Sequence, residues 1–111
     1  MIGRMWRGWA RSQDDADRYD AHYRSEVMSS LTQLPGFRGA RLLRRTVGEE
    51  TEFVSLTFFD DLDAVRAFAG PDYERAVVAD AAREVLTRFD AQVAHYEVAV
   101  ELAASTLDSP L

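Results

Sequence analysis

The chain has 111 residues, a formal net charge of −6, 47% hydrophobic and 29% charged residues, and no cysteine. That length gives one compact domain with a modest core, the composition is that of a folded protein, and disulfide and thiolate chemistry are excluded. All 13 basic residues are arginine, so lysine Schiff-base chemistry is excluded too, and the acidic balance argues against a nucleic-acid surface.

Ile2–Ala10 predicts a strand in which Ile2, Arg4, Trp6 and Gly8 alternate with Gly3, Met5, Arg7 and Trp9. Each face then carries a tryptophan, so neither reads as freely solvated. No apolar run approaches the roughly 20 residues needed to span a bilayer. Arg4 and Arg7 interrupt the first ten residues, which is unlike a secretory signal, so the expected location is the cytoplasm. Ser12 is placed to cap a helix, with Asp14, Asp15 and Asp17 in its first turns where the helix dipole favours them. Tyr19, Tyr23, Val27, Leu31 and Leu34 form its apolar stripe. The helix is expected to run to about Leu34 and to end at Pro35–Gly36.

Phe37–Val47 predicts a second strand, Gly48–Glu50 a hairpin connection and Glu52–Asp60 a third strand. Arg41, Arg44 and Arg45 beside Glu49, Glu50 and Glu52 read as cross-strand pairs. Within Thr51–Gly70, an apolar run with no solvent-facing side stops at Asp60–Asp61. Leu62, Val65, Phe68 and Ala69 then mark a helix over Leu62–Ala69, closed by Gly70–Pro71. A third helix is expected over Tyr73–Arg88, capped by Asp72, and a last strand over Asp90–Glu101. Leu102–Leu111 reads as a tail.

The order β-α-β-β-α-β predicts an α+β ferredoxin-like sandwich, a four-stranded antiparallel sheet with helices on one face. The other face would carry Met5, Trp9, Val54, Leu56 and Phe58, too apolar to stand bare. A strand buried on both faces needs cover on both. A second copy of the chain is the expected cover, giving a homodimer with a barrel-like core.

The segments MIGRMWRGWA, FVSLTFFDDLDAVRAFAG and VAHYEV resemble the antibiotic biosynthesis monooxygenase-type domain of the dimeric α+β barrel superfamily. The resemblance covers Met1–Glu101, leaving Leu102–Leu111 outside the domain. It implies the ferredoxin-like fold and the dimer, and admits several chemistries, since the family includes quinone-forming monooxygenases and haem-degrading enzymes. Haem-degrading members use an asparagine on the first strand, a tryptophan ending the third and an axial histidine on the last helix. Matching the segments puts Trp6, Phe59 and Val78 at those positions. Val78 cannot ligate iron, so haem degradation by that route is not implied.

His22 and His95 are the candidate catalytic residues. His22, one turn from Arg18 and Glu26, is either a general base near neutral pH or a helix-edge histidine paired with Glu26. His95 either faces a cavity or locks its strand, with Glu97 on its strand face and Tyr96 on the other. Trp6, Tyr23, Phe59, Phe68 and Tyr73 are expected to line a substrate pocket between sheet and helices, suited to a planar aromatic ligand; the alternative is ordinary core. Arg4 shares the face of Trp6 and would hold a substrate carboxylate or enolate, or pair with an internal glutamate. No metal-ligand spacing, phosphate loop or nucleotide fingerprint occurs, so no metal or cofactor is expected.

The resulting expectation is a cofactor-independent monooxygenase of a small aromatic or polyketide-like molecule, with His22 or His95 as base and Arg4 or Trp6 as oxyanion partner. A non-oxidative cyclase or isomerase, and a non-catalytic small-molecule-binding or stress-associated module, remain open on the same scaffold.

Overall fold

The computed structural model describes residues 1–104, and the expected tail falls largely outside them. Strand β1 (Ile2–Ala10) pairs antiparallel along its whole length with β3 (Glu50–Phe59), which pairs with β2 (Phe37–Val47). The other edge of β1 meets two short strands, β4 (Arg88–Phe89) beside Gly8 and Trp9, and β5 (Ala94–Glu97) beside Ile2–Met5. The order β2-β3-β1-β4, with β5 also on β1, is the ferredoxin-like arrangement of an α+β protein.

Register fixes the faces, because residues directly opposite each other in an antiparallel pair point to the same side. Arg4 lies opposite Thr57 and His95, Trp6 opposite Ser55, and Gly8 opposite Phe53 and Phe89. These residues face the helices. Met5 opposite Leu56, and Gly3 opposite Phe58 and Tyr96, belong to the other face.

Helices α1 (Gln13–His22), α2 (Met28–Thr32), α3 (Leu62–Ala69) and α4 (Asp80–Val85) are short. Ser12 caps α1 as expected, accepting from the Asp15 amide at 3.1 Å, and Asp61 caps α3 through the Ala64 amide at 2.9 Å. The β2–β3 connection is tighter than expected. Val47 pairs with Glu50, so only Gly48 and Glu49 form the loop, and Gly48 supplies the positive φ of 62° that a two-residue hairpin needs at its first position.

The first helix is not continuous to Leu34. A π-helical segment, Tyr23–Val27, separates α1 from α2, and α2 ends at Thr32. The helix expected over Tyr73–Arg88 is reduced to α4. Its first half is held extended by backbone pairing to a distant segment: Ala76 donates to Ala91 at 2.9 Å, Val93 donates to Glu74 at 2.7 Å, and Arg75 bridges Gln92. Those backbone groups are then unavailable to a helix, and the β-branched Val77 and Val78 favour the extended form. Asp72 closes a turn through its carbonyl, which accepts from the Arg75 amide at 3.1 Å, and caps no helix. The same pairing draws residues 91–93 off β1, so of the strand expected over Asp90–Glu101 only β5 forms, while β4 pairs with β1 ahead of that range.

Two packed clusters fill the layer between sheet and helices. One joins Ala10, Ala16, Tyr19, Phe53, Ala82, Val85 and Leu86; the other joins Leu31, Phe59, Ala64 and Val65. They do not merge. Gly8 lets the first cluster close tightly, since a Cβ there would lie 3.1 Å from both Leu86 Cδ1 and Trp6 Cη2.

Candidate functional site

Between the two clusters lies a cavity of about 250 Å³, floored by Arg4, Trp6, Ser55 and Thr57 of the sheet. Tyr19, His22, Tyr23, Glu26, Val27 and Leu31 wall one side, and Phe68 with the extended 77–79 segment walls the other. The volume is just below the roughly 300–1,000 Å³ of pockets for drug-sized ligands, and fits a small planar molecule.

The π-helical segment builds one wall. A π turn inserts a residue into the helical repeat and re-aims the side chains around it, and such turns recur at functional sites. Here Tyr23, Glu26 and Val27 of that segment, with His22 immediately before it, all reach the cavity.

Among the described residues Arg4 is the only arginine lining the cavity, and it is 6% exposed. Its Nη1 donates to the Tyr73 carbonyl at 2.6 Å and meets His95 Nε2 at 2.9 Å. Its guanidinium carbon stands 5.5 Å from the centre of the Phe68 ring. Among the described residues no carboxylate pairs with it; the internal glutamate that was an alternative is not there. Burial lowers its pKa to about 10, which leaves the group charged at neutral pH.

His95 lies outside the cavity, in a shallow groove with Tyr73, Glu74 and Tyr96. Its ring stands edge-on to Tyr73 at 5.1 Å between centroids. Burial pushes its pKa down, the Arg4 charge pushes it further, and Glu74 opposes both. A neutral imidazole therefore accepts at Nε2 from Arg4. The carboxylate acting on it is Glu74, not the Glu97 suggested by strand alternation.

Trp6 donates its indole N–H to the Asp90 carbonyl at 2.8 Å. The donor is thus committed, and Trp6 offers the cavity a ring face and no oxyanion contact, which corrects that part of the expectation. Its ring packs with Tyr19 and Phe89 at centroid distances of 6.5 and 5.9 Å.

His22 lines the cavity with Nδ1 3.8 Å from Glu26 Oε2, too long for a hydrogen bond. Tyr23 is 5% exposed, and among the described side-chain atoms that are fully buried only its hydroxyl lacks a hydrogen-bond partner. Burial raises its pKa, and the nearby Ser55 hydroxyl partly offsets the rise. Burial also raises the Tyr19 phenol, with Tyr23 adding to the effect.

Of the residues proposed from the sequence, the cavity gathers Arg4, Trp6, His22, Tyr23 and Phe68. Phe59 sits in the core behind, 5.9 Å from Phe68 between centroids, and Tyr73 contributes its carbonyl to Arg4 while its ring faces the outer groove. Ser55 and Thr57 were not among the expected site residues, and Glu26, expected only as a helix-edge partner of His22, also reaches the cavity. The inward alternation of β3 pointed to the first two, and the i+4 spacing from His22 to the third. No group of three or more metal-ligating side chains occurs among the described residues, and no helix there is long and apolar enough to cross a membrane.

A family model described as antibiotic biosynthesis monooxygenase matches residues 12–80. No protein of curated function matches the sequence. Solved structures share the fold. A Bacillus cereus protein given the same family description is 14% identical with a TM-score of 0.64, covering 95% of this chain and 97% of that one. The heme-degrader MhuD of Mycobacterium tuberculosis, with two hemes bound in its active site, is 20% identical with a TM-score of 0.63 over 93% and 100%. SnoaB of Streptomyces nogalater, a cofactor-independent oxygenase, is 22% identical with a TM-score of 0.59 over 96% of each chain. At such identities the likeness carries the fold and not the chemistry.

Proposed function

The chain belongs to the antibiotic biosynthesis monooxygenase family, and from that premise we propose that it is a cofactor-independent monooxygenase of a small aromatic substrate. The observation that carries this reading is the cavity itself. Among the described residues, aromatic groups of Trp6, Tyr19, Tyr23 and Phe68 surround a single imidazole, His22, and a single arginine, Arg4, that no carboxylate neutralises.

In the proposed reaction His22 removes a proton from an acidic ring carbon of an anthrone-type substrate, using Nε2, with Glu26 on the Nδ1 side of the ring. The carbanion is delocalised into the carbonyl oxygen, whose charge is stabilised by Arg4, buried at the cavity floor. The carbanion reduces dioxygen and forms a carbon–oxygen bond. Loss of water then leaves a new carbonyl, so one methylene and one O₂ become one C=O and one H₂O. All electrons come from the substrate. Of the two candidate bases His22 is favoured, because the Nε2 of His95 is engaged by Arg4 outside the cavity.

A haem-dependent reading by the route known in haem-degrading members lacks its axial donor. The wall matched to the axial-ligand position carries Val77, Val78 and Ala79, which offer iron neither nitrogen nor sulfur.

Residues 1–101 are proposed to form the functional domain and to act as a homodimer that covers the outer sheet face. Oxygen uptake with a panel of anthrones and hydroquinones tests the chemistry. Consumption above background that falls about 10²–10⁴-fold in His22→Gln is expected from loss of a general base. No uptake with any member counts against it, and product formation without added oxygen indicates a cyclase or isomerase instead.

A further inference from the structure

Several surface arginines satisfy their charge locally. Arg7 pairs with Asp90, Arg44 with Asp17 and Asp20, Arg45 with Glu52 and Arg88 with Glu50. Arg4 inverts this pattern, being the most buried and having no anionic partner among the described residues. A buried charge left unpaired is costly unless something in the working molecule compensates it. The neutral groups around it do so incompletely. Nη1 has the Tyr73 carbonyl and the His95 nitrogen, while Nε and Nη2 make no hydrogen bond among the described residues.

The rest of the cavity has the same bias. The hydroxyls of Ser55, Thr57 and Tyr23 can all donate, and among the described residues the one lining carboxylate, Glu26, stands at the rim with its side chain 72% exposed. Solvent and salt screen that rim charge from the floor. The cavity of a chain with net charge −6 thus holds an isolated positive centre under an aromatic wall.

We infer that the cavity binds its aromatic ligand as a monoanion, a ring carboxylate or an acidic phenolate, with the ionised oxygen seated on Arg4. This deepens the aromatic-substrate reading, on which it rests, and is independent of oxygen chemistry. The Phe68 ring under the guanidinium and the Tyr73 and His95 acceptors fix the cation in place, so the ligand meets a preorganised charge. Planar recognition by two donor nitrogens also explains an arginine here in terms that a lysine would not meet.

The test is calorimetric binding of 2-naphthoate and its neutral isostere 2-naphthamide to the full chain at neutral pH. A charge-assisted contact predicts that the wild type binds naphthoate about 10–100-fold tighter than the amide. Arg4→Gln should bring the two within about twofold by loss of naphthoate affinity alone, while Arg4→Lys keeps part of the preference. The wild-type ratio needs no variant, so a destabilised Arg4→Gln leaves the test intact. Equal binding of the two probes overturns the inference, as does no binding of either at about 1 mM. Preference for naphthoate without oxygen uptake by any substrate would sink the oxygenase reading alone. Oxygen uptake with equal probe affinities would sink the monoanion alone.

Discussion

Arg4, His95 and Glu74 form a short polar chain from the cavity to the outer groove, and its titration has a definite sign. Folding disfavours the His95 imidazolium, because burial and Arg4 lower its pKa and Glu74 only partly restores it. The unfolded chain therefore binds the proton more readily. This contribution to stability is complete above the ordinary histidine value of about 6.5 and is lost as the pH falls from there toward the lowered folded value. The slope of stability against pH between about 7 and 5.5 should be shallower in His95→Gln than in the wild type, in urea unfolding followed across that range. Equal slopes would show that folding leaves the proton affinity of His95 unchanged. Arg4 and Trp6 were legible from strand alternation, which put both on one face. What alternation did not reveal was the fate of their polar atoms. The Trp6 N–H is taken by a carbonyl 84 residues away, and the Arg4 guanidinium is held by residues 69 and 91 positions distant.

Local pattern predicted some elements to the residue and failed at others for one reason. Ile2–Ala10, Phe37–Val47 and Leu62–Ala69 have strong periodicity and clear punctuation, and fold as read. Tyr73–Ala79 has helical spacing too, but the bridge to Ala91–Val93 outcompetes it, and tertiary pairing of this kind leaves no local trace. The π turn was equally hidden, since Tyr23, Val27 and Leu31 fit an ordinary helical stripe. The packing of β1 on α4 gives this level its test. A Gly8→Ala methyl must displace Trp6 or Leu86, and overpacking of that kind costs about 1–3 kcal/mol. Chemical denaturation should register that loss, and naphthoate binding should weaken with it because Trp6 floors the cavity. An unchanged midpoint and affinity would mean the contact is slack.

Across the molecule, the sheet order and its two faces were readable, because a one-residue slip in register would bring every outward side chain inside. The outer face carries Met5, Val54, Leu56 and Phe58, with Leu43 46% and Tyr96 57% exposed. Val100 and Leu102, just beyond β5, are also exposed. Apolar surface of this extent argues for a covering partner, and sedimentation at micromolar concentration should give twice the chain mass, with Leu56→Glu shifting it to the monomer. A wild-type monomer would leave that face without its proposed cover. The chemistry remains the main claim, and labelled dioxygen addresses it most directly. With ¹⁸O₂ and an anthrone that supports turnover, mass spectrometry of the product should find one heavy oxygen per new carbonyl, with the second atom in water. A product that gains no label, or takes its oxygen from solvent, would contradict the account.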